Sequence, residues 1–223
     1  MKLAVSLALA TAGCFVDPGP PSGAVPSTGW TLVEFESATT GTRVPLMPTK
    51  PGDLIIVAAE VADGLETFQA GSDLMPVLGS VTSCTNTTLE VFFGVPDVGV
   101  NVVTATVAPF DWLVWVFSGL PGPVLDDARQ QPSMSSSGLA MSPIVTPNQD
   151  GDVVVAAAVA YGDNITDPSV SDLRFVHDAI VKGNGFAHVN SNQTPAGMKL
   201  QAQWDLASGG SYCSAAVAFR AGQ

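Results

Sequence analysis

Glu34 and Glu36 alternate within a segment of strand character, so both carboxylates fall on one face, about 7 Å apart. Paired carboxylates at such a separation are what glycoside hydrolysis uses. The same pattern also suits the exposed face of an edge strand, which is the better expectation because inward carboxylates are costly. His177 and His188 are the only histidines, and His177 adjoins Asp178. A carboxylate beside an imidazole is the orienting half of a catalytic triad. No Gly-x-Ser-x-Gly elbow accompanies it, and no Ser or Cys declares itself as a nucleophile. Both histidines therefore read as surface residues in loops.

Trp112 and Trp115 lie three apart, which in a strand sends them to opposite faces. An exposed one would stack on a sugar ring, but the flanking Leu113, Val114, Val116 and Phe117 favour the core. Glu34, Glu36, Trp112 and Trp115 are thus the candidate ligand contacts. Asn148, Asp150 and Asp152 resemble the start of a calcium loop without its distal glutamate. Asp163, Asn164, Asp167 and Asp172 make a second oxygen-rich segment. Turn chemistry accounts better for both, so no catalytic set, cofactor site or metal site is expected.

The cysteines are Cys14, Cys84 and Cys213, and no two have metal-ligand spacing. Cys84 and Cys213 are a possible disulfide in an oxidising compartment; the alternative is two small buried apolar residues. Cys14 follows Lys2 and a short apolar run, Leu3 to Ala10. That order resembles a bacterial lipoprotein signal, in which the cysteine is lipidated and becomes the mature N-terminus. A Pro/Gly-rich tether from Asp17 to Gly23 would follow. The rival expectation is an unprocessed arm that packs against a neighbour.

Basic residues number 8 and acidic residues 20, a net charge of −12. No Lys/Arg cluster exists to displace counterions from phosphate, which argues against nucleic acid as a partner. Charged residues make up 13% of the chain and hydrophobic residues 46%. Little material remains for exposed helix faces, while Val, Thr, Gly and Pro favour strands joined by turns. Turn-bounded runs predict roughly ten to twelve strands.

Two runs repeat. Gly52-Asp53-Leu54-Ile55-Ile56-Val57 and Gly151-Asp152-Val153-Val154-Val155 stand 99 positions apart. In each, a turn launches an unbroken aliphatic run, the mark of a strand covered on both faces. Trp112 to Gly119 and Tyr212 to Phe219 close the two halves. Asn101 to Val107 and Met198 to Asp205 are further strands, and Arg174 to Ile180 is a strand or one helical turn. The Ser/Gln-rich stretch from Gln130 to Gly138 reads as a loop, a crossover or an edge strand. The predicted fold is all-β, a two-sheet β-sandwich of jelly-roll or concanavalin-like type made of two duplicated halves. Residues 1–29 form the arm or signal with its tether. Residues 30–223 form one sandwich domain, with half-repeats at about 30–122 and 123–223.

Met47 to Val57, Val114 to Leu120, Gly151 to Val155 and Ala215 to Phe219 together resemble a family of β-sandwich domains. That family occurs in phage minor tail and virion proteins and in bacterial secreted surface proteins. The resemblance implies a structural or adhesive role without catalytic residues. The expected protein is then a non-enzymatic virion component, tail-associated or capsid-decorating. Its partners would be proteins of a larger assembly, with a homo-oligomer possible. The alternative is a surface lipoprotein anchored through Cys14, with a cell-surface glycan as partner and the membrane reached only through the lipid.

Overall fold

The computed structural model describes residues 29–62, 66–77, 82–84, 86–119, 122–136, 138–161, 165–169, 174–207 and 210–220. Cys14 and the remainder of the N-terminal segment lie outside them, as do Asp163, Asn164 and Asp172. Among the described residues the chain is all-β, eighteen strands in four antiparallel sheets, with one 3-10 turn at Ser191–Gln193.

The first half comprises β1 (Thr31–Thr39), β2 (Arg43–Pro45), β3 (Leu54–Val61), β4 (Phe68–Ala70), β5 (Ser72–Asp73), β6 (Met75–Pro76), β7 (Thr82–Ser83), β8 (Thr88–Gly94), β9 (Val102–Ala105) and β10 (Asp111–Ser118). The second comprises β11 (Val124–Ser136), β12 (Leu139–Met141), β13 (Val153–Tyr161), β14 (Ile165–Pro168), β15 (Phe175–Val181), β16 (Asn184–Val189), β17 (Gln203–Leu206) and β18 (Gly210–Arg220). The first half pairs a large sheet, β1-β10-β3-β8-β6 with β7 also on β8, with a small sheet, β2-β9-β4-β5. The second pairs β11-β18-β13-β16-β15 with β12-β17-β14. In both halves the first strand neighbours the last, which neighbours the long aliphatic strand, and the second neighbours the penultimate. That is the strand order of a jelly-roll sandwich.

The aliphatic runs explain the layering. On β3, Leu54, Ile56 and Ala58 enter one core, while Ile55, Val57 and Ala59 enter another with Val44, Phe68 and Val103 of the small sheet. On β13, Val153, Val155 and Ala157 face the first of these cores. Val154, Ala156 and Ala158 pack instead on Ile165, Leu200 and Trp204. The two large sheets therefore stack back to back, each covered outside by its own small sheet. An alternating strand would leave a polar face in the middle of this stack, which is why both repeats are unbroken.

Gly52 and Gly151 hold the two launching turns at φ +90° and +87°, a region where a side chain is strained. The Ser/Gln-rich stretch proves to be the second part of edge strand β11, laid on β18. Arg174 to Ile180 supplies β15. Part of the excess over the expected ten to twelve strands comes from β5, β6 and β7, two-residue pieces that leave no period in the sequence.

Gly185 of β16 lies against the indole of fully buried Trp204, where a Cβ would stand 2.5 Å from Nε1 and 2.6 Å from Cδ1. Neither the strand backbone nor a packed indole yields cheaply. Gly185→Ala is expected to lose about 2 kcal/mol of stability in urea unfolding.

Candidate functional site

The seam between the large sheets holds two cross-links. Cys84, just before β8, forms a disulfide with Cys213 on β18, their Cα atoms 5.3 Å apart. Cys213 is paired with Val159 on β13, and Asp111 is paired with Glu60 on β3. Since Glu60 and Val159 occupy the same step after the repeated turns, Asp111 holds in the first half the place of Cys213 in the second. Asp111 is also tethered across the seam. Asn184 donates from Nδ2 to Glu60 Oε2 at 2.7 Å and to Asp111 Oδ2 at 3.3 Å. Lys182 Nζ lies 3.6 Å from Asp111 Oδ1. Burial pushes Asp111 up to about 6, against the pull of Lys182.

A second polar group, which also spans the seam, is sunk deeper. The indole N–H of Trp115 donates to Asp178 Oδ2 at 2.6 Å, and the other oxygen of that carboxylate meets Nδ1 of His188 at 2.7 Å. The Asp178 side chain is fully buried and that of His188 is 3% exposed. The pairing of β15 on β16 shifts register between His177 and Ala179. Asp178 is the extra residue of this bulge, and a bulge of this kind re-aims a side chain. The other ring nitrogen, Nε2, lies 3.3 Å from Asn190 Oδ1. Which ring nitrogen donates follows from the tautomer.

His188 and Asn190 line a cavity of about 590 Å³ at the open end of the seam, with Trp30, Thr31, Val176 and Asn192. Its floor is fixed by Ser191, whose Oγ donates to the Trp30 carbonyl at 2.7 Å and so ties the 3-10 turn to the start of β1. Such a volume is within the usual range for small-ligand sites. This is the candidate functional site.

Compared with protein-family models, curated proteins and solved structures, the chain matches none. Geometry alone therefore carries the reading of the site.

The structure disperses the ligand contacts expected from the sequence. Trp112 and Trp115 do face opposite sides, but both are completely buried. Trp112 packs on Phe68 at 5.6 Å and Trp115 on Phe186 at 6.1 Å. Neither ring can stack on a sugar, because a strand in the middle of the sandwich has no wet face. Glu34 accepts the Met47 N–H at 3.1 Å, and Glu36 is exposed on β1.

The histidines are strand residues rather than loop residues. His177 packs edge-on against Trp204 at 5.7 Å, and Asp178 serves His188 rather than its sequence neighbour. The carboxylate was visible in the sequence. The register that brings it to His188 was not.

Asn148, Asp150 and Asp152 do not converge on a common centre. Asn148 gives its backbone N–H and side-chain amide to Asp126, at 2.6 and 3.1 Å. Asp150 accepts the Ala196 N–H at 2.8 Å. Asp152 is buried close to Asp126. Among the described residues no group of three or more His, Cys, Asp or Glu side chains is placed to hold a metal ion.

Proposed function

We propose that this chain is a non-enzymatic β-sandwich protein displayed outside the cytoplasm, as a tail-associated or capsid-decorating component of a phage particle. The observation that carries the reading is the disulfide between Cys84 and Cys213. It fastens one jelly roll to the other, and such bonds persist on virion and cell surfaces but rarely in a reducing cytosol. The low charge content and net charge of −12 suit a protein surface that stays apart from nucleic acid. The shared strand order and the repeated Gly-Asp turns support descent of the two halves from one ancestral unit.

The order of Lys2, the apolar run and Cys14 favours a second reading, a bacterial surface lipoprotein. Intact mass of the protein from its native source separates the two. A chain without lipid, recovered in purified particles, is the expected result. A chain that begins at Cys14 and carries acyl groups replaces the first reading with the second. A chain found free in the cytosol with both thiols reduced removes both.

A further inference from the structure

We propose that the cavity at the seam is a binding site for a neutral, polyhydroxylated ligand, a saccharide of one or two rings, recognised through His188, Asn190 and Asn192. The proposal gives a ligand class to the surface-binding reading above and rests on that reading only for its setting.

The first support is a difference between the halves. On β8 the residue paired with Ile56 is Phe93, and on β16 the residue paired with Val155 is His188. Ile56 and Val155 stand at the same step after Gly52 and Gly151, so Phe93 and His188 hold the same place in their sheets. Their contacts across the seam correspond too. Phe93 packs on Phe219 at 4.9 Å, and His188 packs on Phe117 at 6.0 Å. Phe219 and Phe117 are themselves equivalent, paired with Val153 and Leu54.

One half thus fills this position with an aromatic pair. The other places a carboxylate and an imidazole there, and the carboxylate takes the indole N–H of Trp115 from the first half, all removed from water. Burying ionisable groups where a phenyl ring packs equally well does not favour stability. What the polar version adds is an imidazole held in direction by Asp178 and Asn190, on a residue that lines a cavity.

The second support is the chemistry of that wall. Among the described lining residues there is no Lys, Arg, Asp or Glu. A phosphate or carboxylate would meet no fixed cation, in a chain of net charge −12. An ammonium group or a metal ion would meet no carboxylate on the wall, since both oxygens of Asp178 are engaged. What remains is a mixture of amide, hydroxyl and imidazole groups with the apolar surfaces of Trp30, Leu32 and Val176. Alternating hydroxyls on an apolar ring match such a wall.

The test is a titration of the full chain with glucose, galactose, mannose, rhamnose and N-acetylglucosamine and their β-linked disaccharides. Amide and indole N–H resonances are followed by NMR. Millimolar binding of at least one sugar is expected, with shifts centred on Trp30, Asn190 and Asn192. Asn192→Ala, at an exposed rim position, should raise Kd about fivefold by removing one hydrogen-bonding group. His188→Phe, which copies the first half, combined with Asp178→Asn, which keeps an acceptor for the Trp115 indole N–H, should remain folded while losing the response. No shift with any sugar overturns the proposal. So does binding that both variants leave unchanged, or a response at this wall to a neutral Asn/Gln peptide in place of sugars. Location, read from particle content and mass, is measured separately, so either idea can fail alone.

Discussion

Cys84→Ala should lower the stability of the folded chain by about 5 kcal/mol, the loop-entropy value for a bond closing a separation of this length. Cys84 and Cys213 lie 129 residues apart in sequence, and the bond crosses from the first large sheet to the last strand of the second. Without it, the unfolded chain regains the freedom of that loop. The apolar seam then has to hold the two jelly rolls together with the cluster around Asp111 and Asn184, the group around Asp178 and the Ser191 tie to Trp30. In thermal unfolding the loss corresponds to a drop of about 15 °C for a protein of this size. A thiol reductant should bring the wild type to the same point and leave the variant unmoved. Equal stability of variant and wild type under oxidising conditions would show that the bond does no mechanical work in the fold.

Asp152→Asn should raise stability at alkaline pH by about 3 kcal/mol and remove most of its decline with pH. An ordinary aspartate ionises near 3.8, but Asp152 is pushed up to about 8. Burial is the largest cause, followed by the hydrogen bond and negative charge of Asp126. Between these two values the folded chain keeps a proton that the unfolded chain has released. Stability therefore falls as pH rises from about 4 to about 8 and is level above that.

Asp126 is shifted the opposite way, lowered by its hydrogen bonds from Asn148 and by Arg220 against the effect of burial. Its contribution is lost only when pH falls through its own folded value, at the acid end. The amide introduced by the substitution would still donate to ionised Asp126, without a proton having to be held there. In the variant, the remaining decline should come from Asp111 and end near pH 6. Urea unfolding from pH 4 to 9 reads the slope. An unchanged slope would place the shared proton elsewhere.

The fold was legible where physics writes on consecutive residues. Leu54 to Ala59 and Val153 to Ala158 are apolar without a break because each strand is covered on both faces. Their Gly-Asp turns set the repeat. The short strands were less legible, since β5 of the small sheet and β6 at the edge of the large one have two residues and no period.

The site was legible only in fragments. Asp178 attracted notice beside His177, yet a bulge and the hairpin register deliver it to His188. Trp115 reads as core, and it is core. Its indole N–H depends on a carboxylate 63 residues away, a separation at which composition and period carry no signal. Cys84 and Cys213 were visible as a pair, but only the stacking of the two sheets decides that they meet.

The back-to-back stacking has a consequence for how such a protein can change. In a symmetric dimer of two identical jelly rolls, every residue at the interface occurs twice. A substitution suited to one side is imposed on the other. A single chain that carries both halves is released from this rule. The imidazole at position 188 stands opposite Phe117, while its counterpart at position 93 is a phenyl ring on Phe219. One side keeps the plain hydrophobic lock, and the other is free to accumulate specificity without a mirror-image penalty.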